Sequence, residues 1–366
     1  MILYLALFVI GVTAAAFLAM KAPTYKRVQL GDGYGYRVVK LPNAFLVILI
    51  TVFLIAVAGH RGLSYQDTGS YVYQFRDFLP SGFMDAWNSV EESRAFWGLA
   101  GLVRSWTDVN MSWFLIIFSA ITIGFIVFTF YRYSERFEIT LFIFLTLGSY
   151  LVTMNAMRQC FASAIVFFGY KFFMDKRWFW FFTLVAIAYF FHPTSVIMIP
   201  IYFYCHRPAW QPVMTIITCL AVLALVLFPS VTEAIFSILG ETKYSQYGTM
   251  ANANIFRPLI MAALCGFAYI NREKIRAAYP QSDILVNVLI VHTVMLFAAT
   301  NSWIFARLCI FTDLYVAMLV PILIISCFEK RDRAVGVIFL MLFFLAYHLY
   351  EYRGINYYSV TLGINI

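Results

Sequence analysis

Charge is what this 366-residue sequence has least of. Asp, Glu, Lys and Arg make up 12% of it against 63% apolar letters, about half the charged share of a soluble globular chain. With a mean hydropathy of +0.81, that scarcity excludes a water-soluble globular domain and leaves a polytopic membrane protein. Other absences narrow the chemistry. The sequence has no GxGxxG, no Walker P-loop, no HExxH and no Cys/His metal spacing, so the usual signatures of nucleotide cradles and zinc hydrolases are missing. No CxxC pair occurs, and Cys160, Cys205, Cys219, Cys265, Cys309 and Cys327 sit in or beside apolar runs, which reads them as small core residues. No internal repeat is detectable. What is abundant is aromatic: 38 Phe, 24 Tyr and 8 Trp exclude a disordered or low-complexity chain.

Apolar runs lie at roughly 1 to 20, 43 to 59, 113 to 130, 139 to 155, 157 to 174, 178 to 191, 193 to 205, 210 to 228, 255 to 270, 283 to 300, 304 to 327 and 333 to 350. At ~20 residues per span, the expectation is an all-α, polytopic membrane helix bundle of about 11–12 transmembrane helices, with residues 1–366 as a single integral membrane domain. The first run has no basic n-region and is followed by Lys21, Lys26 and Arg27, so it reads as a retained span with its N-terminus outside. Threading from there puts 17 of the 26 Lys and Arg on the inner side, in the segments 21–42, 131–138, 171–177, 206–211, 271–282 and 329–333. The net charge of +8 is thus a sidedness signal, not a nucleic-acid footprint. The same bias favours two short legs turning at Phe191-His192-Pro193-Thr194 over one kinked helix across 178–205.

Residues 60–112 form a large outer loop, and the spacing of Phe96, Leu99 and Val103 predicts an amphipathic helix within it. Residues 229–254 form a second outer loop containing KYSQYG. Charges at the lip of apolar runs are functional candidates, because a charge at bilayer depth costs ~2.5–3.5 kcal/mol. Arg158, Arg257 and Arg307 share the outer side in this threading, near the starts of inward-running helices. Cations oppose the dipole there unless an anion such as phosphate binds; snorkelling to headgroups is the alternative, favoured for Arg257. His192, at the proline turn, is placed to donate, accept or transfer a proton. Asp67, in HRGLSYQDTGSYVYQF, is placed as a general base, and Tyr65, Tyr71 and Tyr73 offer flat faces for sugars. Asp313 has no partner at helical spacing.

GHRGLSYQDTGSYVY after an early span, EESRAFWGL, NAMRQCFASAI at the head of a span, FHPTSVIMIP, WIFARLCIF and the tail YRGINYY together resemble the EpsG family of Wzy-like bacterial exopolysaccharide polymerases, from about residue 43 onwards. The resemblance implies a GT-C-like glycosyltransferase of the bacterial inner membrane that joins oligosaccharide repeat units carried on undecaprenyl pyrophosphate at the outer face. Partners implied are that lipid-linked oligosaccharide, the lipid bilayer, and a chain-length regulator and flippase of the same pathway, with no nucleic acid. The positions matched are Asp67, Glu92, Arg158, Gln159, His192 and Arg307, and the family pattern is broken after Glu92 by SRAFWGL. The expected roles are Asp67 and His192 in catalysis, with Arg61, Tyr71, Glu92, Arg158, Gln159 and Arg307 binding substrate; no metal and no cofactor is required. An O-antigen ligase-type transferase and a flippase of lipid-linked oligosaccharide are the alternative functions.

Overall fold

The computed structural model describes residues 2–29, 36–107, 109–227, 254–302, 304–329 and 331–354; the expected second outer loop lies, but for Asn254, outside them, as does the end of the YRGINYY tail. All twelve apolar runs fall on helices. Four are single long helices: α1 (Ile2–Lys21), α6 (Met111–Tyr133), α16 (Ser282–Ala299) and α19 (Arg333–Glu351). Shorter apolar helices include α2 (Ala44–Gly59), α9 (Met157–Phe168), α11 (Trp178–Tyr189), α13 (Pro212–Leu227) and α14 (Phe256–Ile270). The chain is all-α apart from one antiparallel hairpin, Thr24–Gln29 with Tyr36–Leu41.

Large apolar side chains remain exposed on the outer helices: Leu3, Phe45, Ile216 and Phe339 are each at least 59% exposed. In water such faces would collapse or aggregate; against lipid they are at equilibrium. The chain is therefore a polytopic helical membrane bundle, with its packed centre built from α9 and α16 and from the helices Phe137–Thr146 and Asp313–Cys327.

Among the described residues two of the runs are bent by more than 40°. The run at 139 to 155 divides into α7 (Phe137–Thr146) and α8 (Ser149–Asn155), bent by 54°. Gly148 stands at the break with φ +80°, a left-handed conformation that costs a side-chain-bearing residue. The carbonyls freed there are taken by α19 and the residue after it: His348 Nδ1 meets Thr146 O at 3.0 Å and Tyr352 donates to Leu147 O at 3.0 Å. The run at 304 to 327 divides at Thr312 into α17 (Ile304–Leu308) with a 3-10 turn (Cys309–Phe311), and α18 (Asp313–Cys327), bent by 62°.

The stretch 178–205 is two legs. α11 and the leg formed by a 3-10 turn (Pro193–Ile197) and α12 (Met198–Cys205) fold back on each other. Phe181 stacks on Tyr202 at 5.4 Å, and Ser195 donates to Val185 O. Pro193 begins the second leg because it needs no N–H partner at a helix start.

Within the expected outer loop, α3 (Thr68–Tyr73) runs into a π-helical turn (Gln74–Phe78), followed by α4 (Phe83–Asn88) and α5 (Arg94–Thr107). α5 is the amphipathic helix expected there. It buries Phe96 and Val103, and Gly98 and Gly101 let α4 approach, so that a Cβ on Gly101 would meet Ala86 and the carbonyl of Gly82.

Candidate functional site

α3, the segment before α5, the start of α9 and α17 converge at one end of the bundle around a cleft of about 460 Å³, lined by Asp67, Ser70, Tyr71, Gln74, Glu91, Glu92, Trp97, Arg158 and Arg307. Three carboxylates and two guanidiniums thus face one space with two aromatic rings.

Each side chain is held for a reason. Asp67 precedes α3 after a left-handed Gln66, φ +46°, and its turn is pinned to α8: the Asp67 N–H donates to Asn155 Oδ1 at 3.3 Å, and the Tyr65 hydroxyl to Leu151 O at 3.2 Å. Arg307 Nη2 lies 3.7 Å from Asp67 Oδ2. This is a loose and partly exposed pair, cheap to open for a ligand. Arg158, in the first turn of α9, donates to Ser93 Oγ at 3.4 Å and lies over the Tyr71 ring at 5.9 Å. Its Nε is buried without a hydrogen-bond partner. A buried, unpaired guanidinium N–H is costly unless something else accepts from it.

Gln159 and His192 stand behind this wall. Gln159, 2% exposed, donates from Nε2 to Arg307 O at 2.9 Å and to Thr194 Oγ1 at 3.1 Å. His192 Nδ1 is 2.6 Å from the same Thr194 hydroxyl. A chain of bonds therefore runs from His192 through Thr194 and Gln159 to the backbone of Arg307. One turn further along α9, Ser163 donates to Ile310 O at 2.8 Å, so α9 holds the broken segment that carries Arg307.

Arg61 lies elsewhere. It is 3% exposed and donates to Thr68 Oγ1 at 3.0 Å, to Ala58 O, to Ser119 Oγ at 3.5 Å and to Met157 Sδ at 2.8 Å. Burial pushes its pKa down to about 10, which leaves it protonated at neutral pH. Its neighbours in sequence contact are telling: Thr68 follows Asp67 and Met157 precedes Arg158. The geometry makes Arg61 a brace beneath two cleft residues.

Of the residues singled out from sequence, Asp67, Tyr71, Glu92, Arg158 and Arg307 meet in the cleft, Gln159 and His192 back it, and Arg61 lies below. Arg257 joins none of them. It pairs with Glu351 at 2.7 Å and reaches the Tyr352 hydroxyl at 3.5 Å, an internal partner that neither the snorkelling nor the phosphate reading had included. Ser70, Gln74, Glu91 and Trp97 were missed. The first two carried a signal, since 67, 70, 71 and 74 follow the i, i+3, i+4, i+7 spacing of one helix face. Among the described residues no three His, Cys, Asp or Glu side chains are grouped to hold a metal ion.

The structure is thus that of a helical membrane bundle, one end of which gathers two arginines, three acids and two aromatic rings in a single cleft. The sequence profile of the EpsG family matches residues 44–361, and the chain is a member of that family. No curated protein and no solved structure matches it.

Proposed function

We propose that the chain is a polysaccharide polymerase, a glycosyltransferase that joins oligosaccharide repeat units carried on undecaprenyl pyrophosphate. It would act from the bacterial cytoplasmic membrane through a GT-C-like bundle whose cleft faces outward. The observation that carries this reading is the buried, partnerless Nε of Arg158 beside Arg307, opposite Asp67 in one cleft.

The donor's leaving group is a pyrophosphate, stable as an anion, so the site must hold negative charge more than it must protonate it. Arg158 and Arg307 are suited to that, because guanidinium forks match phosphate oxygens. Phosphate would take Arg307 from Asp67 and accept from Arg158 Nε. The released Asp67 carboxylate then accepts the proton of the acceptor sugar's hydroxyl as its oxygen bonds to the donor's anomeric carbon. The bond from that carbon to the phosphate oxygen breaks with its electron pair on undecaprenyl pyrophosphate. Tyr71 and Trp97 supply faces on which a sugar ring stacks. Glu91 and Glu92 lie where they would meet sugar hydroxyls. His192 serves through Thr194 and Gln159, fixing the backbone of Arg307.

The test is purified protein in lipid nanodiscs given a synthetic undecaprenyl-pyrophosphate repeat unit. A ladder of longer glycans with free undecaprenyl pyrophosphate is expected. Transfer of one unit onto a different lipid acceptor without a ladder would make it a ligase-type transferase, and movement of unchanged lipid across vesicles would make it a transporter; either result overturns the reading.

A further inference from the structure

Below the cleft, the structure places a second set of polar groups that the reaction above does not use. Asp313 opens α18 at the 62° bend. Its Oδ1 is 3.5 Å from Nε2 of His292, which sits at the middle of α16 and is 2% exposed. The other His292 nitrogen, Nδ1, lies 2.8 Å from Thr312 Oγ1, and the Thr312 hydroxyl donates to Cys309 O at 3.0 Å.

This pattern constrains the protons. A hydroxyl has one hydrogen. With that of Thr312 given to Cys309 O, Thr312 accepts from His292 Nδ1–H, and a neutral His292 then presents a bare Nε2 to Asp313. Two lone pairs at that separation repel unless one proton lies between them. The Asp313 side chain is only 21% exposed, and an ionised carboxylate so enclosed among apolar helices is costly. Asp313 fronts a small cavity, about 10 Å³, together with Ser149, Thr153, Cys160, Ser163 and Ile310. Such a space is about the size of one water molecule. The hydroxyls of Thr153 and Ser163 give their hydrogens to Tyr150 O and Ile310 O, while the buried Ser149 Oγ has no partner. The cavity thus joins the two helix breaks, at Gly148 and at Thr312.

We propose that Asp313 and His292 form a proton-binding site in the membrane interior, holding one proton between them at neutral pH and so fixing the bend that carries Arg307. The groups facing the pair are Cys160 from α9, Cys309 on the bend itself, and, at longer electrostatic range, Arg257 from α14 and Tyr347 and Tyr352 at the end of α19. Arg257 is the one cation among them and is already paired with Glu351.

The test is spectroscopic and does not need the protein to make polymer, so it stands or falls apart from the proposed reaction. Full-length protein in nanodiscs at pH 7, labelled with 15N-histidine, is compared with Asp313→Asn, whose amide keeps the shape and can donate to Nε2. The expected result is either a protonated-carboxyl infrared band that Asp313→Asn removes, or a His292 signal with both ring nitrogens protonated. An ionised Asp313 facing a neutral His292 would overturn the proposal. So would a shift of the band on replacing choline chloride by sodium chloride, which would assign the site to a metal cation. If Asp313→Asn does not fold, His292→Gln assigns the nitrogen signals instead, and the spectrum of the unaltered chain decides.

Discussion

At the scale of single residues, the cleft separates groups that hold charge from groups that hold geometry. Arg158→Lys keeps the cation but removes the fork and the buried Nε. It should lower polymer formation by roughly 10- to 100-fold, the order of one or two lost charge-assisted hydrogen bonds; gel analysis of glycan length against time checks this. Asp67→Asn should cost more, ~10²–10⁴-fold, if the carboxylate accepts the acceptor proton, while leaving donor affinity near its normal value in a lipid-binding assay. Arg61 differs in kind. It is a buried cation none of whose hydrogen-bond partners carries negative charge. Arg61→Met should therefore appear first as lost stability, ~1–3 kcal/mol from acceptors left without donors, in thermal unfolding in detergent. The sequence grouped Arg61 with Arg158 and Arg307 as cations expected to bind substrate on the outer side. It had no means of separating a guanidinium that opens on a cleft from one enclosed by Thr68, Ser119 and Met157, because those partners come from three separate parts of the chain. The same limit hid the partners of Asp313 and Arg257, at 21 and 94 positions' remove.

At the scale of elements, hydropathy marked where the apolar helices lie, but of the 11–12 expected spans four helices are long and apolar enough to cross a membrane among the described residues, or six if each bent pair counts as one, and the breaks needed local stereochemistry. The two-leg turn at His192-Pro193 was legible, because a single helix across 178–205 would have put the basic segments after it on the wrong side. The bends at Gly148 and Thr312 were not, since neither run shows a proline at its break and the helices there are held apart by bonds from α9 and from the end of α19. Gly148 is the sharper case. Its positive φ disfavours a side chain, and the Tyr352 ring occupies the space where a Cβ would project. Gly148→Ala should lower stability by ~1–3 kcal/mol, more than Tyr352→Phe, which removes only the bond to Leu147 O and should cost ~1 kcal/mol. Denaturation of Gly148→Ala, Tyr352→Phe, Tyr352→Ala and the double Gly148→Ala/Tyr352→Ala variant tests this: the double should be less destabilised than the sum of its two singles, because the smaller residue makes room for the methyl.

At the scale of the whole molecule, the proposed reaction requires the cleft to open on the face opposite the basic segments. The two ends of the bundle are chemically distinct. One end carries the cleft with Asp67, Glu91 and Glu92; the other brings Asp175, Lys176, His206, Arg207 and Asp283 around a second depression and ties Arg276 to Asp283 at 2.9 Å. Helices α9 with its continuation Tyr170–Met174, and α11, run between them, so Arg158 and Lys176 stand at opposite ends of the same hairpin. The proposed reaction, together with the positive-inside rule, requires the second end to face the cytoplasm. A membrane-impermeant maleimide added to intact cells should then label Glu91→Cys, exposed at the cleft, and leave Lys274→Cys, exposed on the short helix Arg272–Ala278, unlabelled until the cells are opened. Native Cys160, Cys205 and Cys309 are buried, whereas Cys219 is exposed and Cys265 and Cys327 are half-buried, so these last three are replaced by Ser in the labelled variants. The reverse pattern would turn the cleft toward the cytoplasm, where an exported chain could not be extended in place, and polymerisation at the outer face would be lost as an explanation for the arginine pair.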